Sequence, residues 1–161
     1  TYANVIYSYG TDRFMQTAAE IGMNGIILPE VPYEEKNEFA IPAEANGLDY
    51  ISLIAPTSEN RISMIAKEAK GFVYCVSSLG VTGTRSSITT DISAMTELVR
   101  SVTDIPVFVG FGISTPEQAH KIASSSDGII IGSAIMKLVE KYGKQCVPYV
   151  YEFAKSIKEA L

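Results

Sequence analysis

Short apolar runs at residues 25–28, 50–54, 72–76, 107–110 and 128–131 each end in a polar residue or a glycine, and helical patterns fill the intervals between them. Runs this brief and this continuously apolar suit strands buried on both faces of a parallel sheet. Between them, apolar residues recur at helical spacing: Phe14, Met15, Ala18 and Ala19; Ile62, Ile65, Ala66 and Ala69; Ile92, Met95, Leu98, Val99 and Val102. The clearest stripe is the last, formed by Val147, Val150, Ala154, Ile157 and Leu161. Start signals agree. Thr115-Pro116-Glu117-Gln118 supplies an N-cap, a first-turn proline and a glutamine at capping-box spacing, and Thr57-Ser58-Glu59 is expected to cap the helix after the second strand. Gly22 and Gly47 fit helix stops, and Pro42 predicts that the helix before Gly47 is short or begins late.

Strict alternation with right-handed crossovers leaves two architectures, a doubly wound open sheet or a closed β/α barrel. A complete barrel uses about 250 residues for eight units. These 161 residues carry about five units with no intervening linker, so residues 1–161 are expected to form one domain. The longest irregular stretch, 76–91, is rich in Ser, Thr and Gly, and loops of that length inside a compact domain are usually functional lids or disordered segments.

Two glycine corners sharpen the reading. Gly110-Phe111-Gly112-Ile113-Ser114 follows the fourth run, and Gly132-Ser133 follows the fifth and opens a short helix over 133–140, ahead of the helix over 147–161. In a β/α barrel the loops after the last two strands, with the N-terminus of a short extra helix, commonly build a phosphate site. Gly112, Gly132 and Ser133 are therefore the expected phosphate contacts, through backbone amides. With a net charge of −5 and no basic stripe, nucleic acid is not an expected partner. Cys75 and Cys146 lack metal spacing, and a single His120 leaves no usual metal site. No run is long enough to cross a bilayer, residues 1–10 have no basic secretory n-region, and a cytoplasmic protein is expected.

Read with Gly80-Val81-Thr82-Gly83 in the long loop, with Thr1-Tyr2-Ala3-Asn4, with Leu28-Pro29-Glu30-Val31-Pro32 and with Ile54-Ala55-Pro56-Thr57-Ser58, the two corners make the sequence resemble the tryptophan synthase alpha chain along its whole length. That resemblance implies a TIM (β/α)8 barrel, here incomplete. It implies a lyase that cleaves indole-3-glycerol phosphate to indole and glyceraldehyde 3-phosphate in tryptophan biosynthesis, and a partner beta chain that holds pyridoxal phosphate. No cofactor is expected in this chain. Thr1 then falls near the end of the third barrel strand. The family's catalytic Glu and Asp would lie upstream of it, so no catalytic residue is expected in this sequence and these 161 residues alone are expected to be inactive.

The resemblance also implies roles for individual residues. Gly83 adds an amide to the phosphate site, and Thr82 contacts the upstream catalytic Asp. Tyr74 and Phe111, at strand ends, line the indole pocket, with Tyr2, Ile27 and Ile113 completing its apolar wall. Asn4, Glu30 and Pro32 are expected at the beta-chain interface. Glu30 stands where the family usually has Asp, and its expected role is loop organisation or signalling. Arg85 lies beside the loop, and His120 on the outside of the barrel. Two alternatives stay open from the residues alone: another phosphate-binding barrel isomerase or synthase, and a non-catalytic partial-barrel module, which would carry unpaired strand edges.

Overall fold

The computed structural model describes residues 1–76, 92–110 and 112–161. Thr82, Gly83, Arg85 and Phe111, for which the sequence sets expectations, lie outside them. Thr1 donates its amino group to the Ile27 carbonyl at 3.2 Å, alongside β1 (Gly25–Ile26). The chain then forms α1 (Ala3–Tyr9), a helix that the sequence pattern did not announce, because it buries Ile6 and leaves Val5, Tyr7 and Tyr9 exposed. The Ala3 amide donates to the Glu30 carboxylate, which caps the helix from 27 residues away. Gly10 separates α1 from α2 (Thr11–Glu20), which ends before Gly22.

Strand β1 is shorter than the expected 25–28, since the Leu28 carbonyl is taken by the Val31 amide in a turn at 3.3 Å. A 3-10 turn (Tyr33–Glu35) leads to α3 (Asn37–Ala45). Pro42 lies inside this helix rather than delaying it, and buried Phe39, Ala40 and Ala43 hold the helix to the core. The expected strand 50–54 is two pieces, β2 (Asp49–Tyr50) and β3 (Leu53–Ile54). Its first half pairs with β1, where Ile51 N donates to Ile26 O at 2.9 Å, and its second half faces β4 (Val73–Val76), where Tyr74 N donates to Ser52 O at 3.0 Å. Such a stagger is what tilted strands impose as a sheet curls toward closure.

All pairings are parallel, and β3, β4, β5 (Val107–Gly110) and β6 (Gly128–Ile130) follow one another in sequence order. The helices after β3 are α4 (Glu59–Lys67), α5 (Ile92–Arg100), α6 (Pro116–Ala123), α7 (Ser133–Tyr142) and α8 (Val147–Ala160). Alternation along the strands separates the two faces. Val73, Cys75, Val107 and Val109 pack outward with Ile62, Ile65, Val99, Ile122 and Ile157 of the helices. Tyr74 and Val76 point the other way and meet Ile51, Leu53 and Ile130, all from strands or the segments beside them. Helices on one face and sequential strand order without a reversal are the marks of a barrel wall, not of a doubly wound sheet.

The helix ends are held differently. Thr115 accepts from Gln118 N at 3.3 Å while Gln118 Oε1 accepts from Ser114 N at 2.8 Å and from Thr115 N at 3.3 Å, completing the expected capping box of α6. Ser58 occupies the N-cap of α4, but its side chain makes no capping bond, contrary to expectation. His120 is exposed as expected, and its Nδ1 lies 2.8 Å from the Ala160 carbonyl, tying α6 to the end of α8. A second core, with Ile6, Met15, Ile26, Leu28, Phe39 and Tyr50, joins α1–α3 to β1 and β2. Lys36–Glu68, Arg61–Glu34 and Lys70–Glu44 cross from that half of the molecule to α4 and its C-terminal end at 2.6–2.9 Å.

Asp127 fastens the start of β5 to the start of β6. Its carboxylate accepts from Val107 N at 2.8 Å and Arg100 Nη2 at 2.9 Å, and its amide donates to Val107 O at 2.9 Å. The Val107 amide, then Arg100, holds the Asp127 carboxyl below the usual carboxylate range, and Arg61 holds Glu34 at about 2. A lowered folded value contributes stability above the unfolded value of about 4, and that contribution is lost as pH falls through the folded value. Urea unfolding is expected to show stability falling on acidification below about pH 4. Asp127→Asn is expected to flatten that fall and to cost about 1 kcal/mol at pH 7, less than the roughly 1.5–3 kcal/mol of a charged hydrogen bond because the side chain is half in water.

Gly110 has a different constraint. A Cβ built there would stand 2.6 Å from both the Tyr74 ring and its hydroxyl, and Tyr74 is buried. The rigid ring cannot yield without disturbing the inner face, so Gly110→Ala is expected to lower the unfolding free energy by about 1–3 kcal/mol in the same assay.

Candidate functional site

Strands β5 and β6 are in register, with Gly110 opposite Ile130, so the corners that follow them leave the sheet at one level. After β5 the chain reaches Gly112, where φ is 88°, a left-handed conformation that a side chain would strain. This residue is buried, and Ile113 beside it is 3% exposed. After β6 the chain reaches Gly132, the N-cap of α7, which offers no side-chain capping bond. The first intrahelical bond of α7 runs from Met136 N to Gly132 O at 3.0 Å. The amides of Ser133, Ala134 and Ile135 precede it and have no carbonyl partner within the helix. The start of α6 differs, since there the Gln118 carboxamide accepts from the preceding Ser114 and Thr115 amides and the Thr115 hydroxyl accepts from the Gln118 amide.

A cavity of about 680 Å³ gathers these pieces, with Gly112, Ile113, Gly132 and Ser133 on its lining. Tyr74 and Ile130 reach it from the inner face of the sheet, and Pro29 from the corner after β1. Helix α7 adds Met136, Lys137 and Glu140. Of the expected site residues, Gly112, Gly132, Ser133, Tyr74 and Ile113 are thus brought together. Tyr2 is not, since it precedes α1, is 58% exposed and is not among the lining residues. Ile27 packs against the cluster of Ile51, Tyr74 and Val76 and is not among the lining residues, although Tyr74 is. Asn4, Glu30 and Pro32 lie around the N-terminus of α1 and the loop after β1 and are not among the lining residues, although Glu30 directly follows Pro29, which is.

Pro29, Ile130, Met136, Lys137 and Glu140 were not anticipated. The α7 residues had a legible signal, because positions 133, 136, 137 and 140 form one helical stripe that includes Ser133. Pro29 follows a strand end like the other lining residues.

The chemistry of this site is that of binding. Its walls are apolar at Tyr74, Ile113, Ile130 and Met136, which suits a flat ring, and its amide corners suit an anion. Burial raises the Tyr74 hydroxyl above its ordinary value. Glu140 is the carboxylate among the described lining residues, so no carboxylate pair for proton transfer is formed by them. Burial pushes the Cys75 thiol up to about 12 on the outward face of β4, where it is inert. Among the described residues, no group of three His, Cys, Asp or Glu side chains could hold a metal, and no helix is long and apolar enough to cross a membrane.

The tryptophan synthase alpha chain family model matches residues 1–161. The alpha chain of Lacticaseibacillus casei is 43% identical over 161 residues, covering all of this chain and 60% of that protein. Among solved structures, the Campylobacter jejuni tryptophan synthase alpha subunit is 32% identical with a TM-score of 0.81, covering 99% of this chain and 62% of the other. A chain from the tryptophan synthase a2b2 complex of Pyrococcus furiosus matches at 25% identity with a TM-score of 0.81, over 99% of this chain and 63% of that one. The sequence therefore spans about 60% of the length of the curated relatives, and its α/β fold is the corresponding part of a TIM barrel. From the whole-length family match, the ordered glycine corners and the shared fold, the chain belongs to the tryptophan synthase alpha chain family.

Proposed function

We propose that this chain forms the phosphate- and ring-holding part of an alpha subunit that cleaves indole-3-glycerol phosphate to indole and glyceraldehyde 3-phosphate. The observation that carries this reading is a single cavity joining Gly112, Gly132 and Ser133 to the apolar walls of Tyr74, Ile113 and Ile130. The phosphate sits at the two corners, where the α7 amides and helix dipole favour negative charge. The indole ring lies against Tyr74 and Ile113. Holding both ends of the substrate fixes the bond between them, and anchoring at a remote anion lowers the cost of orientation at the reacting carbon. With Glu140 as the carboxylate of the described lining, these residues bind substrate more readily than they cleave it. Gly83, Thr82 and Phe111 complete the site on this reading.

The partner is a beta chain, which carries the pyridoxal phosphate chemistry and receives the indole. The matched Pyrococcus furiosus a2b2 complex supports that assignment. Asn4, Glu30 and Pro32 are the proposed contact positions. Glu30, by holding the α1 N-terminus against the loop after β1, organises that surface. A cytoplasmic setting suits this biosynthetic step.

Two measurements test the reading. In calorimetric titration, indole-3-propanol phosphate is expected to bind at least about tenfold more tightly than inorganic phosphate, the extra affinity coming from ring burial. Equal or tighter binding of a simple sugar phosphate would overturn it. Gly132 separates an anion site from a mere turn, because its φ of −120° lies outside the left-handed region and a Cβ there meets nothing within 4 Å. Gly132→Ala is therefore expected to leave the melting temperature within about 2 °C while weakening indole-3-propanol phosphate at least about tenfold, by placing a methyl group in the anion's space.

A further inference from the structure

Helix α7 presents one face to the cavity, formed by Ser133, Met136, Lys137 and Glu140. Lys137 is the cation and Glu140 the carboxylate among the described lining residues. Their order along the helix matters. Lys137 stands one turn beyond Ser133, about 6 Å along the axis, and Cα–Cβ bonds tilt toward a helix's N-terminus. Glu140 lies about 10 Å from that end. The wall is thus positive at the dipole end, positive again at Lys137 and negative beyond it.

A phosphate monoester carries about −1.5 to −2 near neutral pH, whereas the amides at a helix N-terminus present the equivalent of about half a positive charge. The whole chain carries −5, so the balance has to be met locally. We propose that Lys137 supplies that balance as a direct phosphate-binding side chain. Glu140, on the same wall, repels the anionic end and so fixes which way round the ligand lies. This inference rests on the phosphate-binding reading given above and adds a side chain to a site otherwise made of backbone amides.

The test titrates inorganic phosphate, indole-3-propanol phosphate and uncharged indole into the wild-type chain and into Lys137→Met, Lys137→Arg and Glu140→Gln. Lys137→Met is expected to weaken both phosphates about five- to tenfold, to flatten their salt dependence and to leave indole affinity unchanged. Lys137→Arg is expected to restore phosphate affinity to within about twofold, and Glu140→Gln to tighten it about two- to threefold. Unchanged phosphate affinity in Lys137→Met, with the wild type binding normally, overturns the Lys137 assignment alone. An equal loss of indole and phosphate binding overturns it as well, since that marks damage to the wall and not a lost charge. Weaker binding in Glu140→Gln overturns the orienting role. A wild type that binds neither phosphate ligand overturns the underlying reading together with this one.

Discussion

The register between β5 and β6 is the constraint on which the rest depends. With Val109 beside Ile129 and Gly110 beside Ile130, the chain leaves two neighbouring strands at the same height and turns both corners into one space. A slip of a single residue would rotate Val107 and Val109 from the helical core to the inner face, and every outward contact with Val99 and Ile122 would be lost. Asp127 works against such a slip at the other end of the strands, where its carboxylate takes the Val107 amide. Packing and polar satisfaction therefore select the same alignment, and the cavity follows from it.

Within that frame the protein builds an anion site from backbone and an aromatic wall from strands. Tyr74 occupies the inner face because Gly110 has no side chain to exclude it. The same glycine that ends β5 thus shapes the ring-binding surface. The two glycines beyond it act by different means: Gly112 supplies a left-handed turn, while Gly132 leaves open space without a left-handed φ. Both needs read as a glycine in the sequence, and only the structure separates them.

What was legible in the sequence was the pattern set by burial. The run 107–110 matches β5 residue for residue because Pro106 and the glycine corner bound it sharply. The capping box of α6 is local, and its three-residue spacing announces it. The run 50–54 read as one strand, yet it serves two neighbours in turn, a property of sheet stagger that composition does not encode. Helix α1 escaped notice because one buried side chain makes no stripe, and its cap comes from Glu30, far away in sequence. The glycine corners and five of the site residues were readable from strand ends, whereas the α7 wall required projecting a helix whose apolar and charged residues face a cavity instead of a core.

The divided strand also bears on how this molecule comes apart. One core lies on the side of β1 and β2 and another on the side of β3 to β6, and residues 49–54 belong to both. On the outer surface, the ion pairs from Glu34, Lys36 and Glu44 bridge the same boundary through water-accessible contacts that salt weakens. Ile51 and Ser52 form a seam: amide exchange has a natural place to divide the protein into two cooperative blocks, and the block holding the cavity can keep its protection while the one bearing α1 to α3 opens.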